Sequence, residues 1–184
     1  TRAVVAINGD FFDRKTLATR GLAVTDGQPV GATRDTEAHT AFLFDHQKGA
    51  RLDGGQVAVG DAAGVLAAVG GHMLPLVKDG QVLAGPIHAG NREPRSALGI
   101  RGDGQLIFFA AEGRRPGSAE GLTFSETASL LKELGAVDAI MLDGGGSTSL
   151  VVNGRRVNRL VPQENTERPV ANHIALVRTG DEPA

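Results

Sequence analysis

Residues 123–149 read TFSETASLLKELGAVDAIMLDGGGSTS, and the fold is best approached from that stretch. Thr123 and Glu126 stand in the T-x-x-E spacing of a capping box, in which a hydroxyl and a carboxylate satisfy each other's backbone amides where a helix starts. Phe124, Thr127, Leu130, Leu131 and Leu134 follow at helical spacing, and Gly135 suits the left-handed position on which helices commonly end. Residues 139–142 then form a short apolar run, of the length expected for a strand, which stops at Asp143 and three glycines.

Outward from this stretch, four dipeptides punctuate the chain. Asp26-Gly27 separates residues 21–25 from 28–30, and Asp79-Gly80 separates 74–77 from 81–83. Asp103-Gly104 separates 98–100 from 106–110, and Asn153-Gly154 separates 150–152 from 155–157. Such pairs adopt the positive φ angles of two-residue hairpins, so a mainly antiparallel sheet is expected. A weaker, Ala-rich helical pattern covers residues 61–69 but is interrupted by Gly64. Residues 180–184 have the composition of a frayed end.

No repeat or long linker divides the 184 residues, a length that supports one core and not two. The expected fold is therefore a single α+β domain over 1–184: a large, mainly antiparallel (mixed) β-sheet rich in hairpins, with one or two packed helices.

Composition excludes several classes. A formal net charge of −2 gives no basic footprint for nucleic acid. No apolar run approaches the ~20 residues of a transmembrane helix. The absence of cysteine rules out disulfides, a thiol nucleophile and thiolate metal sites, and the five histidines show no metal-ligand spacing. Seven Phe with no Trp or Tyr weigh against a cleft that grips long neutral polysaccharides. The sequence opens at Thr1 without a signal-peptide pattern, so an upstream segment with any targeting signal is expected to have been removed or left out. A catalytic N-terminal Thr is the rarer alternative.

Five places can carry chemistry. Asp143 ends an apolar strand, and Gly144, Gly145, Gly146, Ser147 and Thr148 follow it. Glycines let backbone N–H groups approach an anion and hydroxyls add donors; the plainer reading is a tight turn, which needs fewer glycines. No Lys follows in Walker A position. Asn8 lies where an apolar run enters a polar turn, able to orient a ligand hydroxyl or a carboxylate, or simply to serve the turn. Arg95 at the mouth of a strand suits a bidentate phosphate clamp or a surface position. Glu112 ends the strand that begins at Leu106 and offers a second carboxylate near Asp143, or a surface charge. Arg168 precedes Pro169 and a run, 170–177, that reads as a strand. His72 and His173 read first as structural.

Taken together, Ala6-Ile7-Asn8-Gly9-Asp10-Phe11-Phe12, Arg95-Ser96-Ala97-Leu98-Gly99-Ile100 and Leu142-Asp143-Gly144-Gly145-Gly146-Ser147 resemble, in order and rough spacing, the motifs of the phosphodiester glycosidase family. The resemblance runs from about Val4 to about Val177. It departs at Asp10, where relatives usually have glycine, and at Glu112, where many have Asp. It implies hydrolysis of the glycosidic C–O bond of a sugar-1-phosphodiester, such as one of N-acetylglucosamine, with a link to exopolysaccharide metabolism and an envelope or secreted location. It also implies a site built from Asn8, Arg95, Asp143, the glycines with Ser147, and Arg168. Asp143 would act at the sugar as nucleophile or as base for water, with Glu112 as second carboxylate and Asn8 positioning the sugar or Asp143. Arg95, Arg168 and the backbone of residues 144–147 would hold the phosphate. Two rivals stand beside it. One is a phosphodiesterase cleaving P–O with a divalent cation, Ca²⁺ or Mg²⁺, held by Asp143, Asp10 and Glu112. The other is a non-catalytic carbohydrate-binding module.

Overall fold

The computed structural model describes residues 3–30, 39–54, 64–83, 91–164 and 166–178. Among them the strands form three sheets rather than the one large sheet expected, and every pairing is antiparallel. Strands β1 (Ala3–Asn8), β12 (Leu150–Val152), β13 (Arg155–Arg156) and β14 (His173–Val177) form a sheet in the order β13-β12-β1-β14. A second sheet comprises β7 (Val77–Lys78), β8 (Gln81–Val82), β9 (Arg95–Arg101), β10 (Leu106–Ala111) and β11 (Ala136–Met141), in the order β10-β9-β11-β7-β8. The third holds β2 (Val24–Thr25), β3 (Gln28–Pro29), β4 (Ala41–Asp45), β5 (Gly49–Asp53) and β6 (Val65–Gly70), ordered β3-β2-β6-β4-β5.

Three of the four dipeptides do what their chemistry dictates. Asp26, Asp79 and Asn153 have φ of 49°, 49° and 48°, and the glycine after each is also positive, which makes two-residue turns between β2 and β3, β7 and β8, and β12 and β13. The Asp103-Gly104 turn is longer, spanning residues 102–105, and only its glycine is left-handed. The second helical pattern is corrected: residues 65–69 lie in β6, where Ala67, Ala68 and Val69 pair with β4, and residues 61–63 lie outside the described residues. Pairing with an apolar neighbour strand outweighs alanine's helix preference. Residues 180–184 also lie outside. The final strand starts at His173, not at 170, because Asn172 is engaged in a turn contact with β1's exit.

The described residues contain one α-helix, α1 (Phe124–Glu133). Both capping-box bonds form: Glu126 N donates to Thr123 Oγ1 at 3.2 Å, and Thr123 N donates to Glu126 Oε2 at 2.9 Å. Thr127, Ala128 and Leu131 are its buried face, whereas Leu130 and Leu134, expected on the same stripe, stay exposed. Leu131 packs with Leu76, Val77, Ala97, Ala139 and Met141 of the second sheet. That sheet's other face brings Leu98, Ile100, Ile140 and Leu142 against Ile7 of the first sheet and Phe42 and Val69 of the third. Strands β9 and β11 are therefore covered on both faces, which explains why residues 139–142 read as an unbroken apolar run.

Replacing Thr123 by Ala removes the cap hydroxyl. The fold is expected to lose about 0.5–2 kcal/mol, seen as a melting-temperature drop of roughly 2–4 °C for each kcal/mol in a chain this size. Calorimetry with unchanged melting would show that the cap is dispensable.

Candidate active site

The ends of β1, β9, β10 and β11 meet at one rim of the molecule, and a buried amide ties them. Asn8, 3% exposed, donates from Nδ2 to the carbonyl of Asp143 at 2.6 Å. Its Oδ1 accepts from Ser96 Oγ at 2.6 Å and from the Ser149 amide at 3.1 Å. The Asp143 amide donates to the carbonyl of Gly9 at 3.0 Å. Asn8 thus fixes the Asp143 backbone, not its carboxyl. Gly9 is needed for space: a Cβ there would overlap Asn172 Oδ1, which accepts the Asp10 amide at 2.8 Å.

The three glycines after Asp143 serve three different purposes. Gly144 lets the carbonyl of Pro94 approach, since a Cβ would lie 2.7 Å from that oxygen. Gly145 supplies a left-handed φ of 59°. Gly146 leaves room for side chains: a Cβ would overlap Arg168 Nη2 and Glu164 Oε1, which are ion-paired with each other. In the turn, a 3₁₀ segment over Gly145–Ser147, most of the amides expected to cradle an anion are engaged by the protein itself. The amides of Gly144, Gly145, Ser147 and Thr148 donate to Asp143 Oδ1 and to the carbonyls of Pro94, Gly144 and Gly145. Positive charge at the turn comes from side chains instead.

Asp143 is partly buried, and burial raises its carboxyl above the ordinary range; nearby Ser147, the Gly144 amide and the charges of Arg168 and Arg14 oppose that rise without cancelling it. The Ser147 hydroxyl lowers the proton affinity by proximity without a well-formed hydrogen bond, for Ser147 Oγ and Thr148 Oγ1 are buried and lack acceptable partners among the described residues.

The other expected site residues fare differently. Arg95 donates from Nε to the carbonyl of Leu122 and from Nη2 to that of Asn91, both at 2.8 Å, and its guanidinium lies 4.6 Å from the Phe124 ring centre. Two of its five donors and one face are thus engaged by the fold, so it builds the wall of the site. Glu112 accepts from the Arg159 amide at 2.7 Å and from Arg159 Nε at 2.6 Å. Burial pushes its carboxyl up, but these bonds and the Arg159 and Arg115 charges bring it below the usual value, so it stays ionised. Arg168 is the expected cation that does lie on the glycine turn.

The proposed cation set does not fit. Asp10 is buried, and its Oδ2 accepts from the Gly21 amide in a gap that Gly21 and Gly70 leave open. Glu112 is committed to Arg159, and among the described residues no three His, Asp or Glu side chains gather as ligands. Other neighbours emerge only in three dimensions. His72 meets the rings of Phe11 and Phe124 edge-on at 5.9 and 5.1 Å, and a cavity of about 210 Å³ beside it is lined by Phe11, Arg20, His39, His72 and Met73. A larger cavity of about 290 Å³, lined by Ala6, Asn8, Val151, Val170 and His173 among others, does not reach Asp143. Arg14, Arg114, Arg159 and Glu164 carried no sequence signal beyond their charge.

With this geometry in place the comparisons decide the family, for the sequence matches phosphodiester glycosidases over residues 1–177. The chain belongs to the phosphodiester glycosidase family. It is 29% identical to an SPbeta prophage-derived protein of Bacillus subtilis, over 98% of this chain and 29% of that protein. It is likewise 29% identical to the mouse N-acetylglucosamine-1-phosphodiester alpha-N-acetylglucosaminidase, over 82% of this chain and 32% of the mouse enzyme. The chain thus spans about a third of the length of these curated relatives. In fold it is similar to the solved catalytic domain of the zebrafish N-acetylglucosamine-1-phosphodiester alpha-N-acetylglucosaminidase, auto-inhibited by pro-peptide, with a TM-score of 0.81 and 22% identity over 96% of this chain and 64% of that one. A Synechocystis protein superposes with a TM-score of 0.58 and 18% identity, over 87% of this chain and 49% of that one. Family membership makes glycosidase-type activity on phosphodiester-linked sugars the family-level function. No helix among the described residues is long and apolar enough to cross a membrane.

Two substitutions probe the site. Asp143→Asn is expected to abolish turnover yet melt higher than the parent at neutral pH. The native carboxyl binds its proton more tightly than the unfolded one, so ionising it costs stability as pH rises from 3.8 through the raised native value, and Asn carries no such cost. Melting curves from pH 3 to 8 should converge at the acid end; a variant less stable at pH 7 would refute the assignment. Gly146→Ala forces Arg168 and Glu164 off the turn. It should cost about 1–3 kcal/mol in folding and reduce activity much further, and activity equal to the parent would separate Arg168 from function.

Proposed function

We propose that the protein hydrolyses the glycosidic C–O bond of a sugar-1-phosphodiester, with an N-acetylglucosamine-1-phosphodiester as the substrate type. The observation that carries this reading is the Asp143 carboxyl: desolvated, raised in proton affinity and bordered by the guanidinium of Arg168 across the glycine turn. A carboxylate of raised pKa is a better base for water at neutral pH. Water attacks the anomeric carbon and gives its proton to Asp143, while the bonding pair of the C–O bond leaves on the phosphate oxygen. A phosphate ester departs without strong acid help, so the remaining demands are electrostatic. Arg168 meets the charge that develops on the leaving group. Glu112, held ionised by Arg159, serves as the second carboxylate and favours positive charge on the sugar ring. Asn8 holds the Asp143 backbone, and Arg95 holds the wall through Phe124. The name of the mouse relative supports N-acetylglucosamine as the sugar, and an envelope or secreted setting belongs to the same proposal.

Hydrolysis of UDP-N-acetylglucosamine and of a simple sugar-1-phosphodiester in ¹⁸O-water, with and without EDTA, tests it by mass spectrometry. The label is expected in the sugar hydroxyl, with turnover persisting in EDTA. Label in the phosphate would mean P–O cleavage, and binding without product would mean a carbohydrate-binding module.

A further inference from the structure

We propose that Arg114 is a second phosphate-binding arm of this site, an assignment that rests on the phosphodiester reading above. Arg114 follows Gly113 just beyond β10 and has a φ of 58°, a left-handed backbone that is unfavourable for any residue with a Cβ. Its amide donates to the carbonyl of Glu120 at 3.3 Å, and Arg115 beside it pairs with Ala119. The side chain is exposed, and its ion pair with Glu93, Nε to Oε2 at 2.6 Å, is only partly shielded. A left-handed residue with a Cβ belongs to a turn or to a functional site, and the side chain decides which.

The strain aims the side chain. Nη2 of Arg114 lies 3.1 Å from where a Cβ would stand on Gly145, while Arg168 crowds the same point on Gly146. The two guanidinium groups therefore lie against adjacent residues of the turn that follows Asp143. Each is ion-paired with its own carboxylate, Glu93 or Glu164, through one nitrogen, which leaves further N–H groups of each guanidinium for a ligand. A phosphodiester carries one negative charge and the departing monoester gains a second, so the second arm is matched to the charge that appears as the bond breaks.

Arg114→Gly tests this without a folding penalty, because glycine accepts the left-handed φ. Three readouts are needed: melting temperature, kcat/KM on the sugar-1-phosphodiester, and the rise in melting temperature produced by inorganic phosphate. The variant should melt at or above the parent, lose roughly ten- to a hundredfold in kcat/KM, and lose most of the protection by phosphate. Unchanged kcat/KM and phosphate protection would overturn the proposal, as would a lower melting temperature, which would make the Glu93 pair structural. If the parent hydrolyses none of these substrates, the phosphodiester reading fails, and the phosphate titration still decides for or against Arg114.

Discussion

The site depends on one buried side chain, the amide of Asn8. Its three hydrogen bonds join the end of β1 to Ser96 in β9, to the Asp143 backbone beyond β11 and to Ser149 before β12. A buried amide left unpaired would cost about 1–3 kcal/mol, so these bonds form together or not at all. Two sheets are thereby stitched at the rim where Asp143 emerges. The Gly9 carbonyl takes the Asp143 amide from the same turn, so the carboxylate-bearing backbone is held from both sides. A side chain held this way is positioned by rigid elements rather than by loop chance.

This division of labour explains what the sequence could and could not disclose. Local chemistry was legible: the capping box of α1, the Asp-Gly and Asn-Gly turns and the carboxylate at a strand end all act over a few residues. Sheet partition was not, because β6 pairs with β4 from outside any local window, Ala41 with Gly70 and Asp45 with Val65, and no local pattern records that choice. The Ala-rich run became a strand for the same reason, tertiary pairing overriding a weak helical preference. The triple glycine was legible as an unusual turn, yet its reasons differ at each position, and only the folded structure separates the close approach at Gly144, the torsion at Gly145 and the side-chain room at Gly146.

The arginines show the limit most clearly. Arg95 stands in a recognisable motif and turns out to face Phe124 and two carbonyls, whereas Arg114, unremarked in sequence, lies against the turn. A guanidinium can be spotted from its letter, but its reach of several ångströms lets neighbours from distant segments decide where it goes. Glu93, 21 residues before Arg114, and Glu164, four before Arg168, make those decisions.

Desolvation sets the electrostatics of Asp143. Two bare guanidinium groups beside a carboxylate would lower its pKa strongly, each unit being worth 1.36 kcal/mol. Instead the carboxyl is raised, because desolvation outweighs the pull of Arg168 and Arg14. Glu164 partly neutralises Arg168, and Glu93 does the same for Arg114. In the reaction proposed above, a stronger positive field would hold more phosphate and leave Asp143 a weaker base, so a guanidinium tempered by its own carboxylate, as Arg168 is by Glu164, suits both demands.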